Sequence, residues 1–168
     1  MAVKFTKPEI NIREKLEGLD NVKVTHDNMP VGSVLQVVSK VLTNSAHITT
    51  TSTSFITMGA AFSLTFSPRK ANSKLIFSIS MNPYFNSSGA YNIHSGLTGD
   101  LITDQAGGLG YMHMGTGYGA VTRQGETTAD STEVRTYTIY ARHLGSSGTF
   151  YPWHNNTTGH FSIMEVAQ

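Results

Sequence analysis

The chain has 168 residues, a formal net charge of +1 and charged side chains at 14% of positions. That length holds one domain with a sizeable core plus an extra segment, and the near-zero charge gives no general pull toward nucleic acid or an anionic membrane. No cysteine is present, so disulfide staples, thiol catalysis and cysteine-bound zinc are excluded. Polarity carried by Ser, Thr, Asn and Gly rather than by Glu and Lys suits exposed β-structure with long loops better than a helical enzyme.

Residues 1–30 hold a large share of the charge. The opening, MAVKFTKPEINIREKLEGLD, lacks the continuous apolar core of a signal peptide, and no apolar run in the chain approaches the roughly 18 residues of a membrane span. Synthesis and assembly in a cytosol, without membrane insertion, are the expectation. Thr6-Lys7-Pro8-Glu9 has the form of a capping box with proline in the first turn. Ile12, Leu16 and Leu19 then share one face of a short helix that Gly18 tends to end. A helix this short is marginal alone in water, so its apolar stripe needs a partner surface: its own domain, another copy, or another protein. His26-Asp27-Asn28-Met29-Pro30 closes this arm, because proline disfavours helix in the residue before it.

From residue 31 the pattern changes to strands. Val34 to Leu42 and Thr49 to Met58 are strand candidates. Ala60, Phe62, Leu64 and Phe66 alternate with Ala61, Ser63 and Thr65, and Leu75, Phe77, Ile79 and Met81 alternate with Ile76, Ser78, Ser80 and Asn82. Period-two alternation turns one apolar face to a core and leaves a polar face outside. Thr132 to Arg142 and His160 to Val166 continue the set. Turns are expected at Ser67-Pro68-Arg69, Ser87-Ser88-Gly89, 145–148 and 155–159. Gly96 to Asp130 differs, with Gly107, Gly108, Gly110, Gly115, Gly117 and Gly119 interleaved with Tyr111, Met112, His113, Met114 and Tyr118. A structureless loop of that length is uncommon in a compact domain, so one or two irregular strands, or a cover over a neighbouring subunit, are expected there. The whole predicts an all-β antiparallel sandwich, jelly-roll-like, over residues 31–168, preceded by a helical or extended arm.

Several stretches then stand together: the opening MAVKFTKPEINIREKLEGLD, Gly32-Ser33-Val34-Leu35-Gln36-Val37-Val38, Thr51-Ser52-Thr53-Ser54-Phe55, Ser67-Pro68 to Ser73-Lys74-Leu75, and the closing Phe161-Ser162-Ile163-Met164-Glu165-Val166. In that order and spacing they resemble the tail-fibre-like and other virion structural proteins of marine tailed phages of the cyanophage type. The resemblance covers most of the chain and weakens between Gly89 and Asp130. It implies a β-sandwich that assembles as a homotrimer, a place on the virion, and no catalytic residues or cofactor.

Candidate chemistry is sparse. The seven histidines, His26, His47, His94, His113, His143, His154 and His160, show no zinc-site spacing and no partner Glu at metalloprotease spacing. On a three-fold axis one histidine becomes three ligands, and His113 is the candidate for that. The few acids of the β-region, among them Asp100 and Asp104, carry no paired-acid signature of a glycosidase. There is no G-x-S-x-G elbow. Gly115-Thr116-Gly117-Tyr118-Gly119 lacks the Lys of a phosphate-binding loop. Aromatic residues are more informative: Tyr84, Phe85, Tyr91, Tyr111, Tyr118, Tyr151 and Trp153 fall at strand ends or in loops, where exposed rings stack on sugars or form subunit contacts, with Tyr91, Tyr111, Tyr118, Tyr151 and Trp153 the candidates for such contacts. The competing reading places Phe150, Tyr151 and Trp153 in the core. Three functions are therefore expected in order: a structural virion component anchored by residues 1–30 to other virion proteins; a receptor or host-glycan binding module, or a capsid decoration protein; and, least supported, a depolymerase.

Overall fold

A computed structural model describes residues 25–85, 88–95, 111–112, 117–145, 148–154 and 157–168. The helix expected around Ile12, Leu16 and Leu19, and His113, lie outside the described residues.

Thirteen strands, all paired antiparallel, account for the described fold: β1 (Val34–Thr43), β2 (Ile48–Thr50), β3 (Ile56–Thr57), β4 (Ser63–Phe66), β5 (Lys74–Met81), β6 (Tyr84–Phe85), β7 (Gly89–His94), β8 (Tyr111–Met112), β9 (Gly117–Tyr118), β10 (Val121–Thr128), β11 (Arg135–His143), β12 (Phe150–Trp153) and β13 (Thr158–Val166). One sheet has the order β1-β13-β5-β10. The second has β3-β11-β7-β8, with β4 also on β11. A third, small sheet has β2-β12-β6-β9. The chain moves between the first two sheets as it goes: β1, then β3 and β4, back to β5, across to β7 and β8, back to β10, across to β11, back to β13. This alternation wraps two sheets around one core as a jelly roll.

The core follows from the alternation. In β5, Leu75, Phe77, Ile79 and Met81 are buried while Lys74, Ile76, Ser78 and Ser80 are not. Phe161 and Ile163 of β13 and Tyr137, Ile139 and Ala141 of β11 meet them from either side. Phe77 and Tyr137, from opposite sheets, lie 5.1 Å apart.

The structure departs from the expected elements at several places. The run Ala60–Phe62 is a 3-10 turn and not strand; Phe62 N–H bonds the Gly59 carbonyl at 3.0 Å, and Gly59 has φ +89°. Phe62, Leu64 and Phe66 all still reach the core. The stretch Thr49 to Met58 is two short strands on different sheets, parted by a turn in which the Ser52 hydroxyl accepts from Ser54 N–H and donates to the Ser54 carbonyl. Val121–Thr128, expected to be irregular, is a regular edge strand paired with β5 along its full length. Gly89 and Gly159, expected in turns, lie inside β7 and β13.

Candidate functional surfaces

The outward face of the β1-β13-β5-β10 sheet is the first candidate. The register sets Val37, Met164 and Ile76 in one row across three strands, with Val34 beside Val166 at one end and Val41 beside His160 toward the other. Val34, Val37 and Val41 are 50%, 59% and 54% exposed. Between the apolar rows run Ser39, Ser162 and Ser78. The border carries one ion pair, Lys74 Nζ to Glu126 at 3.2 Å. The opposite sheet turns a different face outward: Ser63 and Thr138 hydroxyls meet at 2.8 Å, Thr65 and Thr136 at 3.3 Å, and the Arg142 guanidinium lies over Phe55. One sheet thus presents a polar outer face, and the other a mixed one on which Val34, Val37, Val41, Met164, Val166 and Ile76 stand among Ser, Thr and charged side chains.

The small sheet makes the second candidate. Tyr151 of β12 pairs with Tyr84 of β6, and Tyr84 with Tyr118 of β9. Their side chains form a row, with ring centroids 5.5 Å and 5.1 Å apart in edge-on contact. His154 sits against Tyr118 at 4.9 Å and against His47 at 4.4 Å, and Tyr118 Oη lies 3.4 Å from His154 Nε2. Tyr118 is 68% exposed, His47 is exposed, and Tyr84, Tyr151 and His154 are half-buried. Beside the row an open cleft of about 590 Å³ is lined by Thr43, Asn44, Ser45, Thr157 and Thr158.

Of the aromatic residues named from sequence, Tyr84, Tyr118 and Tyr151 meet in this row. Tyr91 and Trp153 do not: both are fully buried, which corrects the expectation that their rings face a ligand. Tyr91 donates its hydroxyl to the Pro152 carbonyl at 2.6 Å, and burial pushes this phenol well above its ordinary pKa, so it stays a donor. Trp153 packs edge-on against Phe62 at 4.9 Å and donates Nε1–H to the Asn44 carbonyl. Phe150 is buried as well; an irregularity in the register between Phe150 and Trp153 lets both turn inward, while Tyr151 between them stays half-buried. Tyr111 belongs to β8, where it pairs with Ala90. The pairing of His47 with His154 has no local sequence signal, since the two are joined only by the sheet.

Among the described residues no three His, Asp or Glu side chains gather in a metal-binding group. His94 stacks on Tyr140 at 3.8 Å, and burial lowers its pKa. The chain matches no protein-family model and no curated protein.

Proposed function

We propose that this chain is a non-enzymatic structural protein of a tailed-phage particle, a fibre-like or surface appendage. Its sandwich assembles with identical copies, three in the simplest form, and residues 1–30 tether the assembly to other virion proteins. The sequence resemblance supports the setting. One observation carries the assembly: the apolar rows on the outer face of the β1-β13-β5-β10 sheet. An antiparallel sheet with a solvated face ordinarily shows polar side chains there, and a contiguous apolar patch marks an interface. Here Val34, Val37, Met164, Val166 and Ile76 form adjoining apolar rows toward one end of the face, with Val41 beyond the Ser39-Ser162-Ser78 row. The charges at its border already satisfy each other, so the face offers little to a charged partner, while every copy of the chain carries the same apolar rows.

The test is native mass at micromolar concentration, for the full chain and for Val37→Asp/Val41→Asp. Both positions are more than half exposed, so the variant folds. The expected outcome is an oligomer that the two aspartates reduce to single chains, because each carboxylate must be desolvated in the contact. A wild-type chain that is monomeric at about 10 µM overturns the reading.

A further inference from the structure

We propose that Tyr84, Tyr118 and Tyr151, with His47, His154 and the adjoining cleft, form a binding site for a neutral saccharide chain. The row is built by sheet register. Side chains at paired positions on neighbouring strands stand at the strand separation of about 4.8 Å, and the rings keep that spacing, at 5.1 and 5.5 Å. Beneath them the same strand sends Phe150 and Trp153 into the core, so the platform is held from below. Its rings are also braced by one another at steep angles, which leaves little side-chain freedom to lose when a ligand arrives.

Ring faces accept the C–H faces of pyranoses, while phenol, imidazole, hydroxyl and amide groups exchange hydrogen bonds with sugar hydroxyls. The site offers both kinds of contact side by side. The cleft walls are the chain segments that also carry the two histidines: Asn44 and Ser45 lead to His47, and the Thr157 hydroxyl donates to the His154 carbonyl at 2.7 Å. Trp153 fixes the Asn44 carbonyl from inside. A lining of hydroxyls and one amide suits a hydroxyl-bearing ligand better than the apolar anchor of a protein partner. Among the described residues, these ten include no Asp, Glu, Lys or Arg, so they offer no lysine or arginine to pair with a uronate or sialate and no carboxylate pair for hydrolysis. The position fits as well. β1 starts at Val34 and ends at Thr43, which lines the cleft; at about 3.3 Å per residue its ten residues set the saccharide site roughly 30 Å from the end of the sandwich at which the described chain enters it.

The experiment titrates the full chain with maltohexaose, cellohexaose and mannohexaose, with oligogalacturonate as the charged control. Calorimetry and tyrosine-ring NMR shifts are the readouts. The expected result is saturable binding of at least one neutral hexaose at millimolar or better affinity. Tyr118→Ala weakens it about tenfold, and Tyr118→Phe, which keeps the ring face, stays within about threefold. Native mass is the same for all three proteins. No response to any neutral hexaose at about 10 mM overturns the proposal, as do preference for the charged sugar and indifference to Tyr118→Ala. A Tyr118→Ala chain with altered native mass also overturns it, since the row is then a contact between copies.

Discussion

Glu165 occupies a position that the alternation of β13 assigns to the core, between Ile163 and Ala167, and it is fully buried. An isolated carboxylate there is unstable. The turn between β4 and β5 supplies its partners: Arg69 N–H reaches both oxygens at 2.8 and 2.9 Å, Lys70 N–H donates at 3.0 Å and the Ser73 hydroxyl at 2.7 Å, while the Gln36 amide comes from β1 at 2.7 Å. Burial alone raises this pKa; the donors outweigh it, and the net shift is downward. The carboxylate therefore holds the turn closed, with Asn72 in the left-handed region at φ +62°. A depressed folded pKa contributes stability that is present above the ordinary glutamate value of about 4.3 and is lost as the pH falls through the folded value. Glu165→Gln sets an amide N–H₂ against donors and is expected to cost roughly 2 kcal/mol at pH 7. Urea midpoints between about pH 7 and pH 3 check both: the wild type loses part of its margin on acidification, and the variant loses less. Equal slopes for the two proteins remove Glu165 as the cause.

At the scale of elements, packing between strands decides what local pattern leaves open. The small sheet meets the second large sheet where β7 passes β12. A Cβ on Gly89 falls 2.4 Å from the Phe150 ring, so the absent side chain is the room the phenyl group fills. Gly89→Ala is expected to cost about 1–3 kcal/mol by overpacking. Phe150→Leu in the same chain restores part of it, and a double-mutant cycle on thermal or urea unfolding measures the coupling. Additive costs mean the two positions do not press on each other. Gly89 reads as a turn residue in the sequence because glycine punctuates turns, and only the ring across the interface shows why glycine stands in a strand. β5 and β13 are legible because Leu75, Phe77 and Ile79, like Phe161 and Ile163, recur at every second position with mostly polar residues between them. β10 was not legible: its inward side is Val121, Arg123, Gly125 and Thr127, a face with almost no apolar signal, and pairing with β5 makes the strand. β12 hid for another reason, since Pro152 interrupts any strand reading although its carbonyl serves Tyr91.

For the whole molecule, the sandwich was readable and its surfaces only partly so. The apolar rows of the outer face leave a trace, because β1 reads Val-Leu-Gln-Val-Val-Ser-Lys-Val-Leu with apolar residues on both alternations, yet it takes the register with β13 and β5 to gather them. Of the five rings of the proposed saccharide site, Tyr84, Tyr118 and Tyr151 are legible from sequence as aromatics at strand ends or in loops, and the two histidines need the sheet to bring them together. The ends of the sandwich then suggest a division of labour. The chain enters it through Pro30 to Ser33, where Ser33 N–H bonds the Pro30 carbonyl at 3.0 Å, Gly32 N–H bonds the Ala167 carbonyl at 2.9 Å, and Ala167 N–H bonds Ser33 at 2.8 Å. Those bonds close the described fold from residue 30 onward, so deletion of residues 1–28 leaves every described strand its partner. The truncated protein is expected to fold with an unfolding midpoint near that of the full chain and to keep its native mass, because in the proposed assembly copies meet through the β1-β13-β5-β10 face. What the proposal expects it to lose is the tether: with one arm per copy, joining several weak arms on one assembly raises their effective concentration without any strong single contact. Incorporation into particles, measured by mass spectrometry of purified virions, should fall to background. Normal incorporation of the truncated chain removes the tether, whereas loss of native mass shows that the arms, and not the sheet face, hold the copies together.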